Sequence, residues 1–237
     1  MDTREVPRVA APLIVAAAIL LSFRLETPVP PVELQGGNGP APSAEQVRAA
    51  YRQVLAPGAP GYDRGAARAA VTVVEFSDFG CPYCARFAIG TYPAIAAAFV
   101  ATGRVRWKYV PFVLGMFPNG GEAARAGICA GEQGPAAFER MHDRLYEQQA
   151  LWRAAGDPAA AFRALAAASR LDPGRFAACY AGDVARARLR AADDLADRIG
   201  VTGTPTFFVD GERVEGALPA DRFREILTAA LARSRAR

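Results

Sequence analysis

Histidine and lysine are almost absent from this chain of 237 residues, which has one of each, His142 and Lys108. Methionine and cysteine are scarce too, at three and four residues. A structural zinc site takes four ligands, and a copper carrier needs methionine or histidine nearby, so the chain is poorly equipped to hold a metal. No metal and no cofactor are expected. Positive charge comes almost wholly from arginine, spread among Asp and Glu along helical stretches, and the net charge is only +4. With no basic stripe carrying interleaved aromatics, nucleic acid is not an expected partner. No apolar run reaches the roughly 17–25 residues of a membrane-spanning helix. The longest, residues 9–23, has 15 uncharged residues and is preceded by Arg4 and Arg8. That pattern suits a secretory h-region or a short signal anchor. Residues 22–28 (SFRLETP) offer no small-x-small cleavage pattern, so an uncleaved anchor over residues 1–25 is the favoured reading. The arginines before it leave the rest of the chain outside the cytoplasm, tethered to the membrane.

What the chain does have is the stretch 71–84, VTVVEFSDFGCPYC. Val71, Val73, Val74 and Phe76 favour a buried strand, and Gly80 turns the chain. Pro82 suits the first position of a helix, where its missing N–H has no partner to lose. Cys81 then stands at a helix N-terminus, where free backbone N–H groups favour a thiolate, the form that attacks disulfides. Cys84, three residues on, shares its helix face. Two plainer readings stand beside this one, half of a zinc site and an inert buried pair. The zinc reading lacks partners, since Cys129 and Cys179 have no C-x-x-C spacing between them and His142 is alone. A reactive dithiol fits the strand, turn and proline together.

Around this stretch the chain falls into segments. Residues 26–60 begin as a Pro- and Gly-rich tether. Ser43 to Gln46 then form a capping box opening a helix to about Leu55. Residues 57–65 read as loop, and Pro93 predicts a kink near Tyr92 in the helix after Cys84. Residues 105–112 alternate as a second strand, closing a segment at 61–115. From 116 to 199 the pattern is helical, with punctuation for four or five helices. Residues 200–237 return to strands: 206–210, an Asp210-Gly211 turn, and 212–215, before a helix over 219–232. A β–α–β unit, a helical insert and a β–β–α unit make an α/β chain, a thioredoxin fold with an inserted helical domain.

The residues FSDFGCPYC at 76–84 and GVTGTPTFFVDG at 200–211 together resemble the DsbA-like extracytoplasmic thiol–disulfide oxidoreductases. The resemblance covers roughly residues 60 to 235. It implies a nucleophile at Cys81, a resolving partner at Cys84, and tuning of the pair by Pro82 and Tyr83. It also implies a cis proline at Pro205 that presents the backbone of Thr204 to an extended substrate. An acidic residue six positions before the nucleophile mediates proton transfer to the resolving cysteine in this superfamily, which points to Glu75. Lys108 is implied as its partner. Some relatives carry a second cysteine pair, here Cys129 and Cys179, as a disulfide bracing the insert.

The resemblance further implies a monomer that oxidises reduced exported proteins and is itself re-oxidised by a membrane quinone-linked partner of the DsbB or VKOR type. Two departures bear on the direction of electron flow. Tyr83 stands where the best-known oxidases have histidine, and Thr204 stands where they have valine. Disulfide isomerase or reductase is the alternative within the fold, and a C-x-x-C copper metallochaperone the alternative outside it. His142, Trp107 and Trp152 read as packing residues.

Overall fold

The computed structural model describes residues 43–236. The expected anchor and the tether up to residue 42 lie outside the described residues. Five strands form one sheet in the order β1-β3-β2-β4-β5: β1 (Tyr62–Arg64), β2 (Val71–Ser77), β3 (Val105–Pro111), β4 (Thr206–Val209) and β5 (Glu212–Glu215). The central pair β2 and β3 is parallel, with Glu75 opposite Tyr109, and every other pairing is antiparallel. The β4–β5 turn is the expected Asp210-Gly211, both with positive φ (49° and 89°). That left-handed geometry matches strand twist, and glycine takes it without strain.

The edge strand β1 departs from the sequence reading, which took 57–65 as loop. Three residues are too short to show a period. It is held instead by β3, by Tyr62 stacked on Phe138 at 4.0 Å, and by the Tyr62 hydroxyl donating to the Ile128 carbonyl at 3.1 Å.

Helix α1 (Ala44–Leu55) opens with the predicted capping box: Ser43 Oγ accepts the Gln46 N–H, and Gln46 Oε1 accepts the Ser43 N–H at 2.7 Å. The next helix, α2 (Pro82–Val100), joins β2 to β3. The helical backbone runs on through Tyr92 and Pro93, where the sequence predicts a disturbance, and does not break. It widens into π turns over Phe87–Thr91 and Ala96–Val100, and the Tyr92 N–H reaches back to the Phe87 carbonyl. A wide turn just before proline accommodates the missing N–H while the chain stays helical. By composition α2 could cross a membrane, with a mean hydropathy of 1.2. It lies on the sheet instead, burying Phe87, Tyr92, Ile95 and Phe99. Full burial of such side chains contributes roughly 1.5–3 kcal/mol each.

Between β3 and β4 come six helices, one or two more than predicted: α3 (Gly120–Gly131), α4 (Pro135–Glu147), α5 (Gln149–Arg153), α6 (Pro158–Ala168), α7 (Pro173–Ala181) and α8 (Val184–Ile199). The break between α4 and α5 carries no glycine or proline signal. It falls at Gln148, whose backbone leaves helical geometry at φ −105° and ψ 20°. Asp157 and Asp172 cap α6 and α7, each followed by proline at the first helical position. Cys129 of α3 and Cys179 of α7 are bonded at an S–S distance of 2.05 Å. The pair lies 50 residues apart, a loop whose closure is worth about 4 kcal/mol in the chain-entropy picture. A last helix, α9 (Ala220–Arg235), packs with α2 over one face of the sheet, on Val73, Trp107 and Phe207. The other face, with Val74, Phe76, Val110 and Phe208, is covered by α1 and α8. The core of the helical insert continues without a gap into Phe79, Cys81 and Cys84.

His142 belongs to that third core. Its ring lies edge-on to Tyr109 and Tyr146 at 5.0 Å, and Nδ1 pairs with Asp143 Oδ1 at 2.9 Å. Burial, reinforced by the charge of Arg64, pushes its pKa down to about 4 against the pull of Asp143. The unfolded chain therefore binds a proton below about pH 6.5 that the folded chain refuses until about 4, so stability is lost as pH falls through that window. Denaturant unfolding should show wild type losing roughly 3 kcal/mol more than His142→Gln between pH 7 and pH 4. Parallel pH profiles would remove His142 from the acid response.

Candidate active site

Strand β2 delivers the chain to Gly80, and α2 starts at once. Cys81 is the N-cap of α2, with extended φ and ψ of −76° and 123°, and Pro82 opens the helix. Gly80 has a steric reason: a Cβ there would lie 2.5 Å from Cβ of Phe117. Asp78 holds the turn, accepting the Gly80 N–H at 2.7 Å and the Leu114 N–H at 2.9 Å. From the insert, Gln149 Nε2 donates to the carbonyls of Phe79 at 2.6 Å and Cys81 at 2.9 Å. The cysteine loop is thus gripped from both the sheet and the helical insert.

Cys81 and Cys84 are both buried free thiols, while Pro82 and Tyr83 between them face solvent. Tyr83 is 38 % exposed, with the Arg86 guanidinium 5.0 Å over its ring. The Thr204–Pro205 peptide is cis. The Cys81 thiol reaches the Thr204 carbonyl at 3.5 Å, which brings the two sequence motifs together. A hydrogen bond from Cys84 lowers the Cys81 pKa to about 6 against the cost of burial, helped by Thr204 and by the backbone N–H groups of Cys84 and Tyr83. Burial raises Cys84 well above the ordinary thiol range, and the neighbouring Cys81 charge adds to it. One thiol is set to ionise and the other to hold its proton.

Glu75 is buried on the face of β2 that also carries Val73 and Ser77. Its Oε2 accepts the Trp107 indole N–H at 2.8 Å, and its Oε1 has no hydrogen-bond partner. Burial raises its pKa, and the Trp107 hydrogen bond, the nearby Ser77 hydroxyl and the charge of Arg64 offset this only in part.

Lys108 is not its partner. The parallel register sets Lys108 opposite Val74 and Glu75 opposite Tyr109, so the two side chains leave opposite faces of the sheet. Lys108 pairs instead with Asp63 of β1, at 3.6 Å. The cation on Glu75's face is Arg64, which lies opposite Trp107 in the β1–β3 register. Its guanidinium stands 5.2 Å over the Tyr92 ring and within 4.0 Å of Glu139 and Asp143.

The sequence reading missed Arg64, Ser77, Tyr146 and Gln149. Arg64 and Ser77 carried a signal, since their face follows from period-2 register once β1 is known to exist. Tyr146 and Gln149 come from helices of the insert, about 65 residues further along the chain, and only packing shows that they reach the cysteines.

The family model described as Thioredoxin matches residues 60–229. A Na(+)/H(+) antiporter NhaA 1 of Salinispora arenicola is 36% identical over 178 residues, covering 73% of this chain and 25% of that protein. The chain therefore spans about a quarter of the length of the first curated relatives it matches. Disulfide bond formation protein D of Bacillus subtilis is 25% identical over 162 residues, covering 67% of this chain and 72% of that protein. Among solved structures, Wolbachia pipientis α-DsbA1 superposes with a TM-score of 0.67 at 18% identity, covering 76% of this chain and 94% of that one. The chain belongs to the thioredoxin family, and its fold, with a helical insert between two β-rich halves, is the one it shares with α-DsbA1.

Proposed function

We propose that this chain is an extracytoplasmic protein thiol–disulfide oxidoreductase that donates the Cys81–Cys84 disulfide to reduced exported proteins. The observation that carries the reading is the placing of Cys81 at the N-terminus of α2, 3.5 Å from the Thr204 carbonyl beside cis Pro205, with Cys84 buried behind it. This placing lowers the Cys81 pKa to about 6 and raises that of Cys84. In the oxidised enzyme a substrate thiolate attacks Sγ of Cys81. The Cys81–Cys84 bond breaks, and Cys84 leaves with the electron pair and takes a proton from protonated Glu75. The substrate's second thiolate then attacks its own sulfur in the mixed disulfide, and Cys81 leaves as a thiolate. The substrate loses two electrons and the cysteine pair gains them. Stabilising the Cys81 thiolate stabilises the reduced enzyme and so drives transfer outward.

Thr204 and Pro205 flank Cys81 on the side from which an extended peptide would approach, and Tyr83 forms the exposed rim. Cys129–Cys179 braces the insert that supplies Gln149. Re-oxidation falls to a membrane quinone-linked partner of the DsbB or VKOR type, which the proposed N-terminal anchor at residues 1–25 would keep close. The test is the reduction potential of the pair. An oxidising value supports donation, and a thioredoxin-like one would transfer the site to a reductase or isomerase.

A further inference from the structure

Behind the cysteines, hydroxyls and incompletely paired charges gather on one face of the sheet. Ser77 Oγ lies 3.0 Å from the Tyr146 hydroxyl, which lies 3.0 Å from that of Tyr109. Ser77 follows Glu75 by two residues on the same buried face of β2, where it favours the charged forms of Glu75 and Cys84. Glu75 Oε1 and Nε and Nη2 of Arg64 are buried without a hydrogen bond, and the Arg64 side chain is only 10% exposed. Buried polar atoms left this way are places where water is expected. Space for it is present. A cleft of about 260 Å³ between α2 and α4 has Arg64, Tyr92 and Tyr146 at its inner wall and Ile89, Asp143 and Glu147 toward solvent.

We propose that this cleft is the proton port of the redox site, with Ser77 and Tyr146 passing protons between Glu75 and water beside Arg64. The proposal rests on the disulfide-exchange reading. When Cys84 leaves as a thiolate it takes the Glu75 proton. The Glu75 carboxylate recovers one from Ser77, Ser77 from Tyr146, and Tyr146 from water in the cleft. Each hydroxyl gives one proton and takes one, so no charge is stranded. The reverse step runs the same chain outward.

The surrounding charges suit this traffic. On the sheet, Glu75 is faced by Trp107, Ser77 and the Arg64 cation, and its charge is felt by Tyr109, by Tyr92 of α2 and by Tyr146 of α4. Glu139 and Asp143 of α4 keep Arg64 from pinning Glu75 as a carboxylate, and neutral His142 adds no charge.

Stopped-flow reduction of the oxidised full chain by dithiothreitol tests this. Tyr146→Phe removes one hydroxyl and keeps the ring against Phe79 and His142. It should slow the reaction about 10-fold between pH 6 and 8, at the low end of general acid–base effects. The Cys81 thiolate titration should stay in place, the solvent deuterium isotope effect should rise, and imidazole small enough to enter the cleft should restore part of the rate. Ile89→Trp, at an exposed position on the cleft mouth, should slow wild-type exchange without imidazole rescue. Wild-type rates in both variants would overturn the port, and so would a slow Tyr146→Phe with an unchanged isotope effect and no rescue. Failure of wild type itself to react would sink the redox reading and the port with it.

Discussion

Cys81→Ser will abolish disulfide exchange, whereas Cys84→Ser, with no disulfide left to donate, will hold a substrate on Cys81 as a mixed disulfide that nothing resolves. The two cysteines lie three residues apart and both are buried, so sequence position alone does not separate their roles. Their surroundings do. Cys81 caps a helix N-terminus and is held toward thiolate by Cys84, Thr204 and backbone N–H groups, while Cys84 is fully buried and protonated. Loss of the nucleophile should lower the exchange rate on the order of 10³-fold or more, the scale seen when a catalytic nucleophile is deleted. Cys84→Ser should accumulate a mixed disulfide at Cys81 with a reduced unfolded protein under mild oxidant, visible by mass. Accumulation at Cys84 in the Cys81 variant, with none in the reciprocal variant, would reverse the assignment.

Glu75→Gln should make the protein more stable and the exchange slower. A carboxyl group with one oxygen unpaired in the core carries a desolvation cost that glutamine largely removes, and glutamine still accepts the Trp107 N–H. The sign of the pH dependence follows from the raised pKa. Between the unfolded value near 4.5 and the higher folded one, the native state holds more protons than the unfolded chain. Wild-type stability therefore falls as pH rises through that window, and the Glu75→Gln variant lacks the slope. Near pH 4 the two should unfold alike, and at pH 8 Glu75→Gln should be more stable by about 1–2 kcal/mol. Dithiol reduction should slow about 10²-fold, the usual scale for losing a positioned acid–base group. A variant as fast as wild type at every pH would remove Glu75 from the proton pathway.

Much of this was legible beforehand because the informative residues are local. The β2 strand, the turn at Gly80, Pro82 at the start of α2 and the Asp210-Gly211 hairpin each depend on a few neighbouring residues with restricted backbone chemistry. The Ser43 cap did so as well. What was not legible depends on register and packing. Lys108 and Glu75 are both charged residues in apolar strands, and pairing them is natural on a sequence. One residue of register separates opposite faces of the sheet, and Lys108 went to Asp63. The counter-charge came from Arg64, on a strand of three residues that no pattern could announce. The π turn at Phe87–Thr91 is one way a helix accommodates the missing N–H of Pro93, and proline in a sequence does not say whether the helix will kink or widen around it.

The most direct test of the disulfide-donor reading is the reduction potential of Cys81–Cys84, measured on the detergent-solubilised full chain against glutathione at pH 7. A Cys81 pKa of about 6 and a Cys84 kept protonated predict a value above about −200 mV, on the oxidising side of the scale between thioredoxin and DsbA. A value at or below about −250 mV would contradict disulfide donation and make this a site that is fed electrons.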